Sequence, residues 1–205
     1  MFRSKVLETI LLNRMYGFNC HHAINKTITM TLWLHDTASK IPVYSTHHCG
    51  AGGVVVADKL ILLIREKHSN LWKLPGGYVN QGEDFGDAVQ REIFEETGVR
   101  TKFEKILTIR HEHDVQFGKS DLYFICGMKP LSREITIDSE IENAKWIDVS
   151  EFTKSNQHPM LQVITDILLN DESNGNDVGL REEVFPSTRR PGKSYKLYLP
   201  FLNKK

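Results

Sequence analysis

The chain has 205 residues, of which 40% are hydrophobic and 25% are charged, a composition typical of one globular domain with room for an appendage. Its 26 basic and 26 acidic residues cancel, which excludes a bulk electrostatic preference for nucleic acid. No apolar run reaches the length of a membrane span, so no membrane partner is expected. The three cysteines lack zinc-site spacing, which favours a reduced intracellular location, cytoplasmic first, with mitochondrial or nuclear locations left open.

The first 46 residues predict a small segment that cannot close a core of its own. Residues 4–15 have helical spacing, and residues 27–34 alternate as a half-buried strand does. The adjacent pairs His21–His22 and His47–His48 lie on extended stretches, which would point neighbouring rings to opposite faces. We therefore predict structural or hydrogen-bonding roles for these four histidines rather than a shared metal ion.

The next segments predict the strands of a main sheet. Residues 50–56 and 60–64 form a predicted strand pair. Residues 101–113 form one long predicted strand with side chains alternating between two faces. His111 and His113 share one of these faces, and we interpret them as a pocket wall or substrate contact rather than a second metal site.

The C-terminal third predicts fewer regular elements. Residues 134–137 and 144–147 indicate two short strands, and residues 160–169 indicate a closing helix. Residues 170–193 are dominated by Asn, Asp, Ser, Gly and Pro, which predicts an irregular polar segment. The apolar residues 195–199 then predict a short strand that docks back onto the domain.

One helix, which lies between two glycine-containing loops, carries most of the functional information. Asp84 with Asp87 predicts a capping box at its start, and Gly98 predicts its end.

Three carboxylates of this helix, those of Glu92, Glu95 and Glu96, are three and four residues apart and therefore crowd one arc. Like charges near the C-terminal half of a helix are unfavourable by themselves. A divalent cation removes that conflict, and oxygen ligands suit Mg²⁺ or Mn²⁺. An exposed acidic helix is the alternative interpretation, but the flanking glycines and the neighbouring Arg91 argue against it.

The whole frame resembles the Nudix box, at its defining positions Gly77, Glu83, Arg91, Glu92, Glu95, Glu96 and Gly98. The resemblance implies an α/β fold, a Nudix α/β/α sandwich with a mixed sheet, in which the box helix presents carboxylates to a metal-bound diphosphate. It implies that Glu92, Glu95 and Glu96 are the catalytic metal ligands, with the carbonyl of Gly76 as a further ligand. Glu92 is also a candidate for orienting or deprotonating water, and Glu83 and Arg91 would form a salt bridge between loop and helix.

The resemblance also predicts the domain organisation. A partial pre-Nudix segment would occupy residues 1–46, the hydrolase domain residues 47–170, and a polar tail with a docking strand residues 171–205. Nudix enzymes often carry one more metal-facing carboxylate before a position like Trp146, which indicates Glu140, with Glu142 as the competing choice.

Four side chains outside the box are weaker candidates for substrate contact. Trp72 precedes the box and corresponds to an aromatic that lines the ligand pocket in many Nudix proteins, although core packing is the simpler interpretation. Arg110 and Lys119 are cations that would suit a phosphate, with solvated surface charges as the alternative. His113 is included through the face that it shares with His111.

The stretches 17–34 and 118–121 resemble a subgroup that holds vertebrate motif-six-type Nudix proteins and plant ADP-ribose or NADH pyrophosphatases. The implied activity is Mg²⁺-dependent hydrolysis of the diphosphate bond in a small nucleotide such as ADP-ribose or NADH, with Mn²⁺ as a substitute ion. Homodimers are common among such relatives, so a homodimer is an expectation. Two alternatives stay open: a binding or regulatory protein that senses these nucleotides, and a hydrolase of oxidised nucleoside triphosphates.

Overall fold

A computed structural model describes residues 2–42, 44–151, 162–168, 178–188 and 190–201. The chain divides into two compact units, Met1–Thr46 and His47–Lys205. Among the helices in these described ranges, none is long and apolar enough to cross a membrane.

The first unit consists of one helix and one hairpin. Its elements are α1 (Phe2–Met15), β1 (Asn19–Ile24) and the antiparallel β2 (Thr27–Thr31). The predicted helix is confirmed, whereas the strand predicted over residues 27–34 ends early. The reason is that Thr31 pairs with Asn19, the first residue of β1, so β1 offers no further partner.

The prediction that His21 and His22 point to opposite faces is wrong. A register shift between Cys20 and His22 brings the two rings together, with the Nδ1 atoms 2.6 Å apart. One set of neutral tautomers then satisfies all four ring nitrogens, because His21 Nε2 donates to the Pro42 carbonyl at 2.7 Å and His22 Nε2 accepts from the Thr29 hydroxyl at 3.3 Å. These contacts agree with structural roles.

The second unit is built on one mixed sheet of eight strands. The strands are β3 (His47–Ala57), β4 (Leu60–Glu66), β5 (Gly76–Tyr78), β6 (Thr101–Gln116), β7 (Lys119–Pro130), β8 (Ile141–Asp148), β9 (Leu180–Pro186) and β10 (Ser194–Pro200). The order is β10-β9-β6-β7-β3-β4-β8, and β5 pairs with β3. β3 and β7 run parallel, and the other paired strands run antiparallel.

Each face of this sheet carries its own hydrophobic cluster and its own helix. On one face, Val89 and Ile93 of helix α2 (Phe85–Thr97) pack with sheet residues such as Val55 and Cys126. On the other face, Ile164 from the helical residues 162–168 packs in a second cluster. This is the predicted α/β/α sandwich, and burial of both faces explains why the central strands are apolar throughout. The rest of the predicted closing helix lies outside the described residues.

The long strand β6 is confirmed, but its simple two-faced alternation is wrong. Register shifts occur between Phe103 and Lys105 and between Ile106 and Thr108. Because a bulge adds one residue to a strand, Phe103 and Ile106 pack in the same cluster, whereas Leu107 packs in the other.

Residues 134–137 do not form the predicted strand. The Thr136 amide instead donates to the carbonyl of Thr97, the last residue of α2, at 2.8 Å. The segment therefore satisfies an open carbonyl at the helix end, where a helix has no partner of its own. The strand predicted over residues 144–147 is confirmed within β8.

The prediction that residues 170–193 are irregular is wrong over Leu180–Pro186. This stretch forms β9, which pairs with β10 along its length and joins β6 through Leu180 and Ile106. Leu180 and Tyr198 pack against the α2-side cluster. The polar composition of the surrounding residues hides the strand, which lies between β10 and β6 in the sheet. The strand predicted over residues 195–199 is confirmed as β10.

Candidate active site

Helix α2 fixes the positions of the three box carboxylates. Gly98 ends the helix in the left-handed conformation (φ 70°), and its amide donates to the Phe94 carbonyl at 2.8 Å. The predicted capping box is wrong, because Asp84 is the N-cap residue but makes no side-chain hydrogen bond to the helix. Its carboxylate lies instead 3.0 Å from Lys196 Nζ on β10. A distant strand thus supplies the partner that a local cap would have used.

The glycine loop brings backbone directly against these carboxylates. β5 pairs with β3 at Gly50–Gly52, and the Gly76 amide donates to Glu96 Oε2 at 2.8 Å. A Cβ atom at Gly77 would lie 2.7 Å from the Glu92 carboxylate. Only glycine at this position therefore leaves room for Glu92 to lie against the loop.

Arg91 ties the loop and the helix together. Its guanidinium donates to both carboxylate oxygens of Glu83 at 2.8 and 3.0 Å, and to the Tyr78 carbonyl at 3.1 Å. Its Nη1 also donates to Glu92 at 2.6 Å and Glu95 at 3.0 Å. A planar guanidinium has five N–H donors, so it can pair with Glu83 through two hydrogen bonds and still donate to other acceptors. Arg91 accordingly orients two of the three carboxylates.

The Glu83–Arg91 pair makes folding stability depend on pH. Hydrogen bonds from Arg91 hold the pKa of Glu83 down at about 2, below its ordinary value of 4.5. A group with a lowered folded-state pKa stabilises the fold above the unfolded-state value, and this contribution is lost as the pH falls through the folded-state value.

We expect Glu83→Gln to lower the free energy of unfolding by about 1–2 kcal/mol at pH 7, because a charged hydrogen-bonded partner of Arg91 is lost. The difference from wild type should shrink as the pH falls from 4.5 towards 2. Urea titrations over this pH range measure it. Glu104→Gln, at an exposed carboxylate of β6, is the matched control. A pH-independent difference would show that the pair does not act in this way.

Glu96 differs from its two neighbours in its environment. Burial raises the pKa of Glu96 to about 7, against the opposing effect of the Gly76 amide. Glu92 is half-buried and Glu95 is exposed. A partly desolvated carboxylate beside a second carboxylate is where a cation relieves an electrostatic cost.

The donor set fits a hard cation. It offers the oxygen atoms of Glu92, Glu95, Glu96 and the Gly76 backbone, which are the ligand type that Mg²⁺ prefers. Over the part of the chain that the structure describes, no group of three or more Asp, Glu, His or Cys side chains has the spacing to hold a metal ion as placed. Because Arg91 binds Glu92 and Glu95, cation binding there has to compete with Arg91.

The residue that sequence reasoning missed is Tyr123. A Cβ at Gly50 would lie 2.6 Å from its ring, and Cβ atoms at Gly52 and Gly76 would lie 2.6 and 2.9 Å from its hydroxyl. Burial, followed by the charge of Glu96, raises the pKa of Tyr123. The signal was the pair of glycines at alternate positions of β3, opposite an aromatic residue of a neighbouring strand.

Two of the four predicted substrate contacts lie near charged or aromatic neighbours on the face opposite α2. Arg110 lies 5.1 Å above the Tyr123 ring and pairs with the buried Asp121 at 2.8 Å. The Trp72 ring packs against the cluster on that face, with Arg65 at 5.4 Å and Lys145 at 4.4 Å from its centroid. Both core packing and a cationic environment are therefore present at Trp72.

The other two predicted contacts lie at the β6–β7 turn. Lys119 is the first residue of β7 and pairs with Gln116. The His113 Nδ1 atom lies 2.8 Å from the Ser120 hydroxyl.

The two alternative carboxylates before Trp146 have different surroundings. Glu140 is exposed, and its backbone carbonyl accepts a hydrogen bond from the Lys67 amide at 3.3 Å. Glu142 forms an ion pair with Arg65 at 3.2 Å.

Comparisons with known proteins agree with this architecture. The NUDIX domain model matches residues 46–167. The solved structure of a MutT NUDIX hydrolase from Burkholderia pseudomallei superposes with a TM-score of 0.52 at 24% identity, covering 60% of this chain and 98% of that one. At that identity the likeness bears on the fold alone.

Two sequence relatives have a higher sequence identity to this chain than that solved structure does. Nucleoside diphosphate-linked moiety X motif 6 from Xenopus laevis is 40% identical over 191 residues, which cover 89% of this chain and 88% of the relative. Nudix hydrolase 8 from Arabidopsis thaliana is 40% identical over 154 residues, covering 71% of this chain but 41% of the relative. Together with the domain match and the fold, these similarities establish that the chain belongs to the Nudix hydrolase family.

Proposed function

We propose that this protein hydrolyses the diphosphate bond of a nucleoside diphosphate derivative in the presence of Mg²⁺, with ADP-ribose or NADH as substrate. The observation that carries the proposal is the intact set of box carboxylates, with Glu96 held by the Gly76 amide and Glu92 and Glu95 held by Arg91. A protein that only senses nucleotides would not require all three.

The residues proposed to hold the cation are Glu92, Glu95, Glu96 and the Gly76 carbonyl, with Glu140 as a further ligand and Mn²⁺ as a substitute ion. A bound Mg²⁺ ion supplies charge neutralisation for a diphosphate and activates water as a nucleophile. Hydrolysis of this kind needs no covalent intermediate, so no serine or cysteine nucleophile is invoked.

The protein's own groups would orient the attacking water or accept a proton from it. Arg91 fixes the direction of the Glu92 carboxylate, which we propose orients or deprotonates the attacking water. Without a cation, burial raises the pKa of Glu96 to about 7, and a cation bound beside it would stabilise the charged form. The hydrogen bond from the Gly76 amide to Glu96 holds the glycine loop against that carboxylate.

Substrate recognition is proposed for residues outside the box. The Arg110 guanidinium lies 5.1 Å from the centroid of the Tyr123 ring, and the hydroxyl of that ring lies beside Gly76. A guanidinium at this place suits binding of a phosphate oxygen. Trp72 has the cations of Arg65 and Lys145 near its ring, and an aromatic side chain with neighbouring cations suits a base and its phosphates. Lys119 and His113 are also proposed as substrate contacts, supported by their place on neighbouring strands.

A substrate panel with chromatographic product analysis tests the function. We expect Mg²⁺-dependent release of AMP from ADP-ribose or NADH, together with ribose 5-phosphate or reduced nicotinamide mononucleotide. Arg110→Lys should raise KM more than it lowers kcat, because a point charge remains but the planar guanidinium is lost. Saturable binding without product would favour the sensor, and preferential turnover of oxidised nucleoside triphosphates would favour the other hydrolase.

A further inference from the structure

Three histidines from two separate strands meet where β3 begins and β6 nears its end. His47 Nε2 lies 3.0 Å from His111 Nε2, and the rings of His111 and His113 have centroids 4.5 Å apart. β7 lies between β3 and β6 in the sheet, so the His47 and His111 rings approach each other across an intervening strand. The sequence predicted a structural role for His47, because only the sheet order brings it to the other two histidines.

The separation of the two Nε2 atoms is close to that of two ligands of one metal ion. Imidazole nitrogens bound at about 2.0–2.1 Å to a tetrahedral zinc ion lie roughly 3.3 Å apart. A hydrogen bond between the neutral rings accounts for 3.0 Å without an ion. A small outward movement of the two rings converts that arrangement into a chelate.

His113 supplies the third nitrogen. Its Nδ1 atom lies 2.8 Å from the Ser120 hydroxyl. In the tautomer in which Nδ1 donates to that hydroxyl, Nε2 is the ligand atom, an arrangement that outer hydrogen bonds favour in metal-binding histidines. Within the residues that the structure describes, no group of three or more His, Cys, Asp or Glu side chains has the spacing to hold a metal ion, so this trio has to rearrange to bind one. His113 is exposed, and rotamer changes of exposed side chains are fast, so the site closes by rotation of this ring together with the outward movement of the other two.

We propose that His47, His111 and His113 bind a transition-metal ion of the Zn²⁺ class at a site separate from the box carboxylates. Imidazole ligands favour such ions over Mg²⁺, for which the carboxylates are the better donors. Once bound, the ion ties β3 to β6 across β7. The neighbouring pair His21 and His22 is not equivalent, because all four of its ring nitrogens are satisfied within the first unit.

Equilibrium dialysis of the full chain against Zn²⁺, with a large excess of Mg²⁺ to occupy the carboxylates, tests the site. We expect one bound zinc per chain, and at least a tenfold weaker affinity in His47→Asn and in His111→Asn. His22→Asn is the matched control, since it removes one histidine from a comparable close pair, and it should bind zinc as wild type does. Absence of zinc binding by wild type under these conditions, or equal losses in His22→Asn and His111→Asn, would overturn the proposal.

A second measurement guards against misfolded variants. Zinc should shift the imidazole NMR signals of His47, His111 and His113 in the wild-type protein, and should raise the thermal midpoint of wild type but not of His111→Asn. Shifts confined to His21 and His22 would contradict the assignment. Because dialysis and NMR do not depend on turnover, the result is independent of whether the proposed hydrolase activity is found.

Discussion

Glu96→Gln is expected to abolish turnover while leaving the protein folded. The substitution removes one charge from the proposed cation site, and such electrostatic contributions amount to several kcal/mol in the transition state, or about a thousandfold in kcat. The glutamine carbonyl retains the shape and the ability to accept the Gly76 amide hydrogen bond. Steady-state rates with the best substrate, measured across a Mg²⁺ titration, give the comparison.

The free energy of unfolding of this variant should not fall along with its activity. Burial raises the pKa of Glu96 to about 7, so above neutral pH the metal-free wild type carries a charged carboxylate at a cost that glutamine avoids. Metal-free Glu96→Gln should therefore be at least as stable as wild type at pH 8, and the advantage should disappear below the ordinary glutamate value. Glu104→Gln should change neither rate nor stability, whereas a near-wild-type rate in Glu96→Gln would refute the role assigned to Glu96.

The largest loss of stability is expected from Gly76→Ala. The backbone at Gly76 has φ 151°, and a Cβ there would lie 2.3 Å from the Ala51 carbonyl oxygen and 2.5 Å from Gly52 Cα. Both neighbours are backbone atoms of β3 and cannot rotate away. Overpacking combined with backbone strain should lower the free energy of unfolding by about 3–4 kcal/mol.

Gly82→Ala separates the clash from the conformation. Gly82 also has a positive φ, 83°, but no atom lies within 4 Å of the position its Cβ would take. We expect a loss of about 1 kcal/mol there, from backbone conformation alone. Urea-induced unfolding of the two variants measures both values, and similar losses would mean that contact with β3 contributes nothing.

Local patterns predicted the box helix well because its signals are contained within a few residues. The spacing of Glu92, Glu95 and Glu96 and the terminal Gly98 depend only on helix geometry. The start of the same helix was predicted less well. Asp84 finds its partner in Lys196, more than a hundred residues along the chain, and no local rule can supply that pairing.

The remaining differences have the same origin in contacts that are distant in sequence. The bulges of β6 depend on how β7 pairs with it, and a two-residue period cannot indicate where an extra residue is inserted. Tyr123 became interpretable only when the parallel register placed it beside Gly50 and Gly52. Similarly, His47 joins His111 only because β7 lies between their strands.

The β9–β10 hairpin has a practical implication for anyone who shortens or tags this protein. Lys196 holds Asp84 at the entrance of α2, and Tyr198 lies beside Phe85, the first residue of that helix, with ring centroids 5.6 Å apart. Deleting the β9–β10 hairpin would remove both contacts from the start of α2, the helix that carries the three box carboxylates. Loss of activity in such a deletion would therefore be explained by a shift of the start of α2, and not by the loss of a catalytic group.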